Sequence, residues 1–297
     1  MPELPEVETI RLGLEKYLVG KKVEKIELRL PKIVLEGSLY GLVGAMVERV
    51  RRFGKVLVLD FSPSASDDPM TAGQVLSLVC HIKLTGQLVL TGVSQVVQVS
   101  RDKVGTLPNP WTHLIVHFQD GVKLFYNDIR QFGWIRVLPS SEVQNFKFIN
   151  ELGPEPDIAQ AGGGALTLES LRRILAGKKT SIKTLLLDQS RIGGVGNIYA
   201  NDGLFLAGID PKRAAGSLTS KEVEDLYDAL LTVLKRGLEY GGASELTYVN
   251  ALGGEGEYQK HFLVYAQNRK PCKKCGTKIE KIKLGGRGTY FCPECQK

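Results

Sequence analysis

Apolar residues recur at helical spacing in the first twenty positions, at Val7, Ile10, Leu14 and Leu18, and Gly20 ends the run. An amphipathic helix is therefore predicted to open the chain. Pro5 suits its first turn, which leaves Glu3 and Glu6 at or just before the helix start. The period then changes to two. Val23 to Leu30, Lys55 to Phe61, Gln74 to Leu84, His113 to Phe118, Val122 to Tyr126 and Trp134 to Leu138 read as strands, with Asp120-Gly121 as a tight hairpin turn. In the third strand the alternation puts Leu76, Leu78, Cys80, Ile82 and Leu84 on an apolar face and His81 and Lys83 on a polar one. Two polar, proline-containing stretches, Ser62 to Gly73 and Thr91 to Thr112, read as long loops that either carry function or are insertions.

Helical periodicity returns after Glu151-Leu152-Gly153-Pro154-Glu155-Pro156, with Gly162-Gly163-Gly164 close behind, so a domain boundary is set there. Helices are predicted at about Leu168 to Leu175, Ser181 to Gln189, Asn197 to Leu206 and Thr219 to Tyr240. The last carries a capping box, Thr219 with Glu222, and a Gly241 stop. Arg191-Ile192-Gly193-Gly194-Val195-Gly196-Asn197 delivers Asn197 to a helix start, where backbone N–H groups bind phosphate well. A helix hairpin needs glycine too, so the turn alone leaves both readings open.

A length of 297 residues predicts two domains, or three if one is small. With 43% apolar and 24% charged residues the chain matches a soluble globular protein and not a disordered one. No apolar run approaches the ~18 residues of a spanning helix. The acidic opening is unlike a secretory leader, which predicts a cytoplasmic location. The net charge of +7 is unevenly spread: residues 260–297 hold ten Lys and Arg against Glu280 and Glu294, so this tail carries +8 and the rest −1. Such a tail is either a solvated face or a polyanion site. Four of the five cysteines lie in it, as Cys272-x2-Cys275 and, after sixteen intervening residues, Cys292-x2-Cys295. Each pair places two thiolates about a tetrahedral ion, and the segment between reads as a β-hairpin that joins them, so one structural zinc is predicted. Disulfides would need an oxidising compartment. Zinc with four thiolates is formally −2, which leaves the tail near +6, and Arg287 sits among glycines that permit close approach to a phosphate backbone. Cys80, in an apolar alternation, is expected in the core.

Met1-Pro-Glu-Leu-Pro-Glu-Val-Glu-Thr9, Leu186-Leu-Asp-Gln189, Gly194-Val-Gly-Asn-Ile-Tyr-Ala200 and the four-cysteine finger, in this order, resemble the bacterial formamidopyrimidine-DNA glycosylases from end to end. The resemblance implies an α+β multidomain fold: a catalytic β-sandwich with an N-terminal helix (2–139), a helical helix-two-turns-helix DNA-binding domain (151–262) and a C-terminal zinc finger (263–297). It implies a monomeric, nucleoid-associated base-excision repair enzyme that excises 8-oxoguanine and formamidopyrimidines from damaged double-stranded DNA and cleaves the abasic site by β,δ-elimination. Removal of Met1 would leave Pro2 with a secondary amine, and its attack on the anomeric carbon gives an iminium that acidifies the C2′ proton. The reference pKa of an α-amine, about 7.7 to 8.0, leaves a usable neutral fraction. Glu3 is then the acid/base candidate and Glu6 a water-orienting one, although an acidic first turn offsetting the helix dipole would explain both residues alone.

The resemblance also gives Lys55 a proton-transfer or phosphate role, Trp111 a DNA-contacting position, and Lys178, Asn197 and Arg287 phosphate contacts, Arg287 with a further role in the second elimination. His81, on the polar face of its strand, suits a DNA contact, although a surface histidine needs no explanation. Asn127-Asp-Ile-Arg-Gln-Phe-Gly133 resembles the family's wedge loop. An enzyme that extrudes a base must fill the hole, and Phe132 suits the gap while Arg130 suits the estranged base; a core aromatic leading into Trp134 is the plainer reading of Phe132. Several positions depart from the family pattern. Leu84 replaces a void-filling methionine, Ile129 and Gln131 replace a proline and an arginine, Trp111 replaces a histidine, and Ala266-Gln267 replaces Gly-Arg. Two competing functions stand beside the leading one: the sister branch acting on oxidised pyrimidines, whose usual Pro-Glu-Gly-Pro-Glu opening Leu4 argues against, and a DNA-binding protein without catalysis, which intact Pro2 and Glu3 disfavour.

Overall fold

A computed structural model of the protein describes residues 2–63, 73–94, 99–158 and 164–297. Met1 and its expected removal, the middle parts of both long loops, and Gly162-Gly163 lie outside the described residues. The described chain forms two compact units, one of residues 1–150 and 240–257, the other of 151–239 and 258–297. No helix among the described residues is long and apolar enough to cross a membrane.

The first unit begins with α1 (Leu4–Leu18), whose Val7, Ile10, Leu14 and Leu18 are fully buried, as the spacing predicts. Nine strands follow: β1 (Val23–Leu28), β2 (Val34–Glu36), β3 (Val47–Phe53), β4 (Val56–Phe61), β5 (Leu76–His81), β6 (Gly86–Thr91), β7 (Thr112–Phe118), β8 (Lys123–Asp128) and β9 (Trp134–Pro139). Short helices α2 (Arg101–Val104) and α3 (Lys147–Asn150) flank the last three strands. The strands make a four-stranded sheet, β1-β7-β8-β6, and a five-stranded one, β2-β9-β5-β4-β3. Side chains from both sheets and from α1 share one core, from Val7 and Leu14 through Leu57, Leu78 and Leu88 to Leu124 and Val137. The Asp120-Gly121 turn joins β7 to β8 as predicted, with Gly121 at φ +84° and the Asp120 carboxylate accepting from Val122 N–H at 3.2 Å.

The second unit is helical, with α4 (Leu168–Leu175), α5 (Ile182–Leu186), α6 (Asn197–Leu206) and α7 (Ser220–Glu239), preceded by the small pairing of β10 (Glu155–Pro156) with β11 (Ala165–Leu166). At the start of α7, Thr219 N–H donates to Glu222 at 2.7 Å and Glu222 N–H to Thr219 Oγ1 at 3.3 Å, the predicted reciprocal cap. α5 is shorter than expected. Gln189 is outside it and instead organises the glycine connection, donating to the Leu187 and Val195 carbonyls and accepting from Gly194 N–H. A hairpin, β12 (Glu280–Leu284) with β13 (Arg287–Phe291), turns through Gly285-Gly286 and closes the unit.

Two expectations for β5 are corrected. The strand ends at His81, and residues 83–85 form a turn that Lys83 opens at φ +50°. Leu84 is therefore half-buried in a turn rather than on a strand's core face. The supposed polar face does not exist either: every residue of β5 is buried, because β4 and β9 flank it and both faces of the sheet are covered there.

Candidate active site and nucleic-acid interface

The start of α1 is organised by carboxylates. Glu3 caps the helix, Pro2 beside it is buried, and Glu3 and Glu6 are 3% and 1% exposed. One Glu6 oxygen accepts the backbone N–H of Glu3 at 2.8 Å, and the other accepts that of Ala243, also at 2.8 Å. Glu6 is thus a clamp on the backbone of the terminus. One turn further on, Glu8 and Arg52 form a fully buried ion pair at 2.9 Å, and Arg52 donates to the Gly54 carbonyl at 2.9 Å. Gly54 and Lys55 are the turn between β3 and β4, so the pair ties the Lys55 turn to the helix carrying Pro2 and Glu3. The rise from Glu3 to Glu8 is only about 7.5 Å. Arg11 also donates to Glu8, at 2.8 Å, so it is the loss of Glu8 that would strand a buried charge, on Arg52, at a cost of about 3–5 kcal/mol. Lys55 itself is 7% exposed.

His81 belongs to the same corner. Its Nδ1 accepts the Lys83 backbone N–H at 3.1 Å, and its ring meets Trp134 and Phe148 edge-on. Burial first, and then Lys83 and Lys55, push its pKa down to about 3. The ring is neutral at physiological pH, and because Nδ1 accepts, the proton is on Nε2. His81 therefore offers one N–H donor and no charge.

The segment after β8 is built around Asp128, which is wholly buried. Its carboxylate accepts from the N–H groups of Arg130, at 3.2 Å, and Gly133, at 2.8 Å, and from the Thr85 hydroxyl. Thr85 Oγ1 in turn accepts Arg130 N–H at 3.0 Å, which fastens the turn carrying Leu84 to this loop. Gln131 takes φ +54°, and Gly133 lies so close to Tyr126 that a Cβ would sit 1.9 Å from the phenol oxygen. With the backbone held inward, Ile129, Arg130 and Phe132 point out. Phe132 is 52% exposed, with the Arg130 guanidinium 4.8 Å from its ring centre, so it is not a core aromatic. Trp111 is exposed nearby, its carbonyl accepting Asp128 N–H.

In the second unit the hairpin tip is docked on the helices. Asn197, half-exposed at the start of α6, donates to the Gly288 carbonyl at 3.1 Å. Lys183, fully buried, donates to the same carbonyl at 3.0 Å and to Thr289 Oγ1 at 2.7 Å, and Asn201 accepts Tyr290 N–H at 2.7 Å. This places Asn197 beside the exposed Arg287; Lys178 is half-exposed in the α4–α5 connection. The sulfurs of Cys272, Cys275, Cys292 and Cys295 lie within 4.8 Å of one another, with 3.9 Å between Cys272 and Cys295 and 3.5 Å between Cys275 and Cys292. A tetrahedron of Zn–S bonds of about 2.3 Å has edges of about 3.8 Å, so the four fit one ion. Sequence reasoning missed Glu8, Arg52, Asp128, Thr85 and Lys183. Their only local signal is a charged or polar residue beside an apolar stripe, and each has at least one decisive partner distant in the chain: Glu8 and Arg52 are 44 residues apart, Thr85 and Asp128 43, Lys183 and Thr289 106.

Family models of the formamidopyrimidine-DNA glycosylase N-terminal domain, the formamidopyrimidine-DNA glycosylase H2TH domain and a zinc finger found in FPG and IleRS match residues 1–135, 152–248 and 269–297. The chain is 38% identical over 301 residues to the formamidopyrimidine-DNA glycosylase of Listeria innocua, and 37% identical over 300 residues to that of Streptococcus mutans, in each case across the whole of both proteins. Among solved structures it is similar to a single-residue variant of Lactococcus lactis Fpg in complex with Fapy-dG DNA, with a TM-score of 0.82 and 32% identity over 100% of both chains. It is also similar to Lactococcus lactis Fpg bound to DNA containing an abasic site, with a TM-score of 0.81 and 31% identity over 99% of each chain.

Proposed function

The chain belongs to the formamidopyrimidine-DNA glycosylase family, enzymes that are both DNA glycosylases and abasic-site lyases in base-excision repair, and from that premise we propose that it excises oxidised purines from duplex DNA through a covalent intermediate on Pro2. The observation that carries the reading is the clamped terminus, where Pro2 and Glu3 are held by Glu6 and tied through Glu8 and Arg52 to the Lys55 turn.

With Met1 removed, the Pro2 nitrogen attacks C1′, the bond to the base breaks, and the amine proton passes to the departing base. Glu3 protonates O4′ as the sugar ring opens, leaving an iminium between Pro2 and C1′. The iminium draws electrons from the C2′–H bond. Loss of that proton expels the 3′ phosphate, a second elimination expels the 5′ phosphate, and water then frees the amine. Lys55 moves a proton or holds a phosphate. Lys178, Asn197 and Arg287 hold phosphates, with Arg287 a donor in the second elimination, and His81 adds an uncharged donor. Phe132 fills the gap left by the extruded nucleotide, Arg130 reads the estranged base, and Trp111 adds a contact. Cys272, Cys275, Cys292 and Cys295 would hold one structural zinc, which keeps the hairpin folded and takes no part in bond breaking.

Duplexes carrying 8-oxoguanine, a formamidopyrimidine or an oxidised pyrimidine test the reading. The purine lesions are expected to be excised at least about tenfold faster. A pyrimidine preference would favour the sister branch, and tight binding without cleavage would favour a non-catalytic DNA-binding protein.

A further inference from the structure

The stretch between β6 and β7 is expected from sequence to be either functional or a mere insertion, and its described part bears on the site. Lys103, on α2, has only 16% of its side chain exposed. Its ammonium donates to the Ser244 carbonyl at 2.7 Å and the Leu246 carbonyl at 2.9 Å, and lies 3.4 Å from the Glu255 carboxylate. Beside it Gln87, on β6, donates to the Lys103 carbonyl at 3.0 Å and the Thr247 carbonyl at 2.7 Å. Val104 packs with Val89 and Val249 beneath. Residues 244–247 have no helix or strand of their own, so these side chains satisfy the carbonyls that would otherwise leave the loop without a fixed shape.

The loop they hold starts at the catalytic terminus. Ala243 N–H and Glu3 N–H are bonded to the two oxygens of one carboxylate, Glu6, each at 2.8 Å. A nucleotide joined to the Pro2 nitrogen must therefore sit beside residues 243–247, where the Leu246 side chain is 62% exposed.

We propose that Lys103 is a positioning residue which sets loop 244–247 as a wall for the extruded base, making α2 part of the excision machinery. The inference rests on the proposed excision at Pro2. Without Lys103 the loop keeps its Glu6 anchor but loses the donor that joins two of its carbonyls, and a misplaced wall costs most when there is a base to orient.

Lys103→Met in the full-length protein is the test, read on a duplex containing 8-oxoguanine and on one with a ready-made abasic site. Single-turnover excision is expected to fall about tenfold while strand cleavage at the abasic site changes less than about twofold, and Lys103→Arg should recover most of the loss. In the free protein, amide exchange at 244–248 should quicken about tenfold in Lys103→Met. Equal slowing on both duplexes, or no change in loop exchange, would make Lys103 an ordinary packing residue and overturn the proposal. A wild type that excises no lesion would overturn the excision reading itself; an active wild type matched by Lys103→Met would overturn only this inference.

Discussion

The start of α1 and the cysteine finger both carry candidate chemistry, but they are held in different ways. The terminus rests on a core that runs through α1 and two sheets, and its carboxylates are fixed by partners far along the chain, Glu8 by Arg52 and Glu6 by Ala243. The finger has a core of little more than Phe205, Val264, Cys272, Ile279 and Cys292, two of which are metal-ligand candidates. The terminus should therefore keep its shape through most single changes outside its clamp. The finger should depend on one ion. A site read from local spacing is metal-dependent for the same reason that it is legible: its stabilisation is concentrated in four residues instead of spread through a core.

Metal removal is the largest expected break in this contrast. Chelation, or Cys295→Ser, should cost the finger on the order of 10–16 kcal/mol of local folding free energy and abolish tight DNA binding, while the main thermal transition of the first unit is kept. Metal analysis that finds no stoichiometric zinc, or a first unit that melts together with the finger, would break the comparison. At the other end, Glu3→Gln should leave fold and DNA binding intact and lower base excision by roughly 10²–10⁴-fold. Wild-type excision in that variant would return Glu3 to a helix-dipole role.

The exposed wedge loop sharpens the contrast, because it joins the fixed sandwich to a mobile substrate. Phe132→Ala should slow excision from duplexes by roughly ten- to a hundredfold and hardly affect a ready-made abasic site, whose extrusion costs less unstacking. Arg130→Ala should reduce discrimination by the opposite base by roughly 1–3 kcal/mol. Equal slowing of both substrates by Phe132→Ala would remove the wedge role. The smallest effect is on pH. His81 titrates at about 3 in the folded protein against an ordinary 6.5, so between these values the unfolded chain binds the extra proton. Stability should then fall as pH drops below 6.5 and be insensitive to this group above it. His81→Gln should recover on the order of 1 kcal/mol of the loss between pH 7 and pH 5 in urea melts; an unchanged slope would show that other groups carry it.

Features set by short-range pattern were legible in the sequence: the α1 stripe, the Asp120-Gly121 turn, the Thr219–Glu222 cap and the cysteine spacing. β6 and the end of β5 escaped because a strand covered on both faces has no alternation to read, which is also how His81 came to be placed on a polar face. β3 escaped because it is a charged edge strand whose register shifts between Val47 and Arg49. The return of 240–257 to the first unit has no local mark, since it depends on contacts such as Glu6 with Ala243, 237 residues apart. Pro2, Glu3, Arg130 and Phe132 were found through motifs. Asp128, which turns Phe132 outward, was not given a role, because its partner Thr85, 43 residues away, becomes a neighbour only once β6 has paired with β8.

The central claim is that the terminal proline forms the bond to DNA. Borohydride reduction during reaction with abasic-site DNA should trap a covalent adduct, and mass spectrometry of its proteolytic fragments should place the sugar remnant on a peptide that begins at Pro2 with Met1 gone. An adduct on Lys55 or another internal lysine, or trapping by a chain that still carries Met1, would contradict the account.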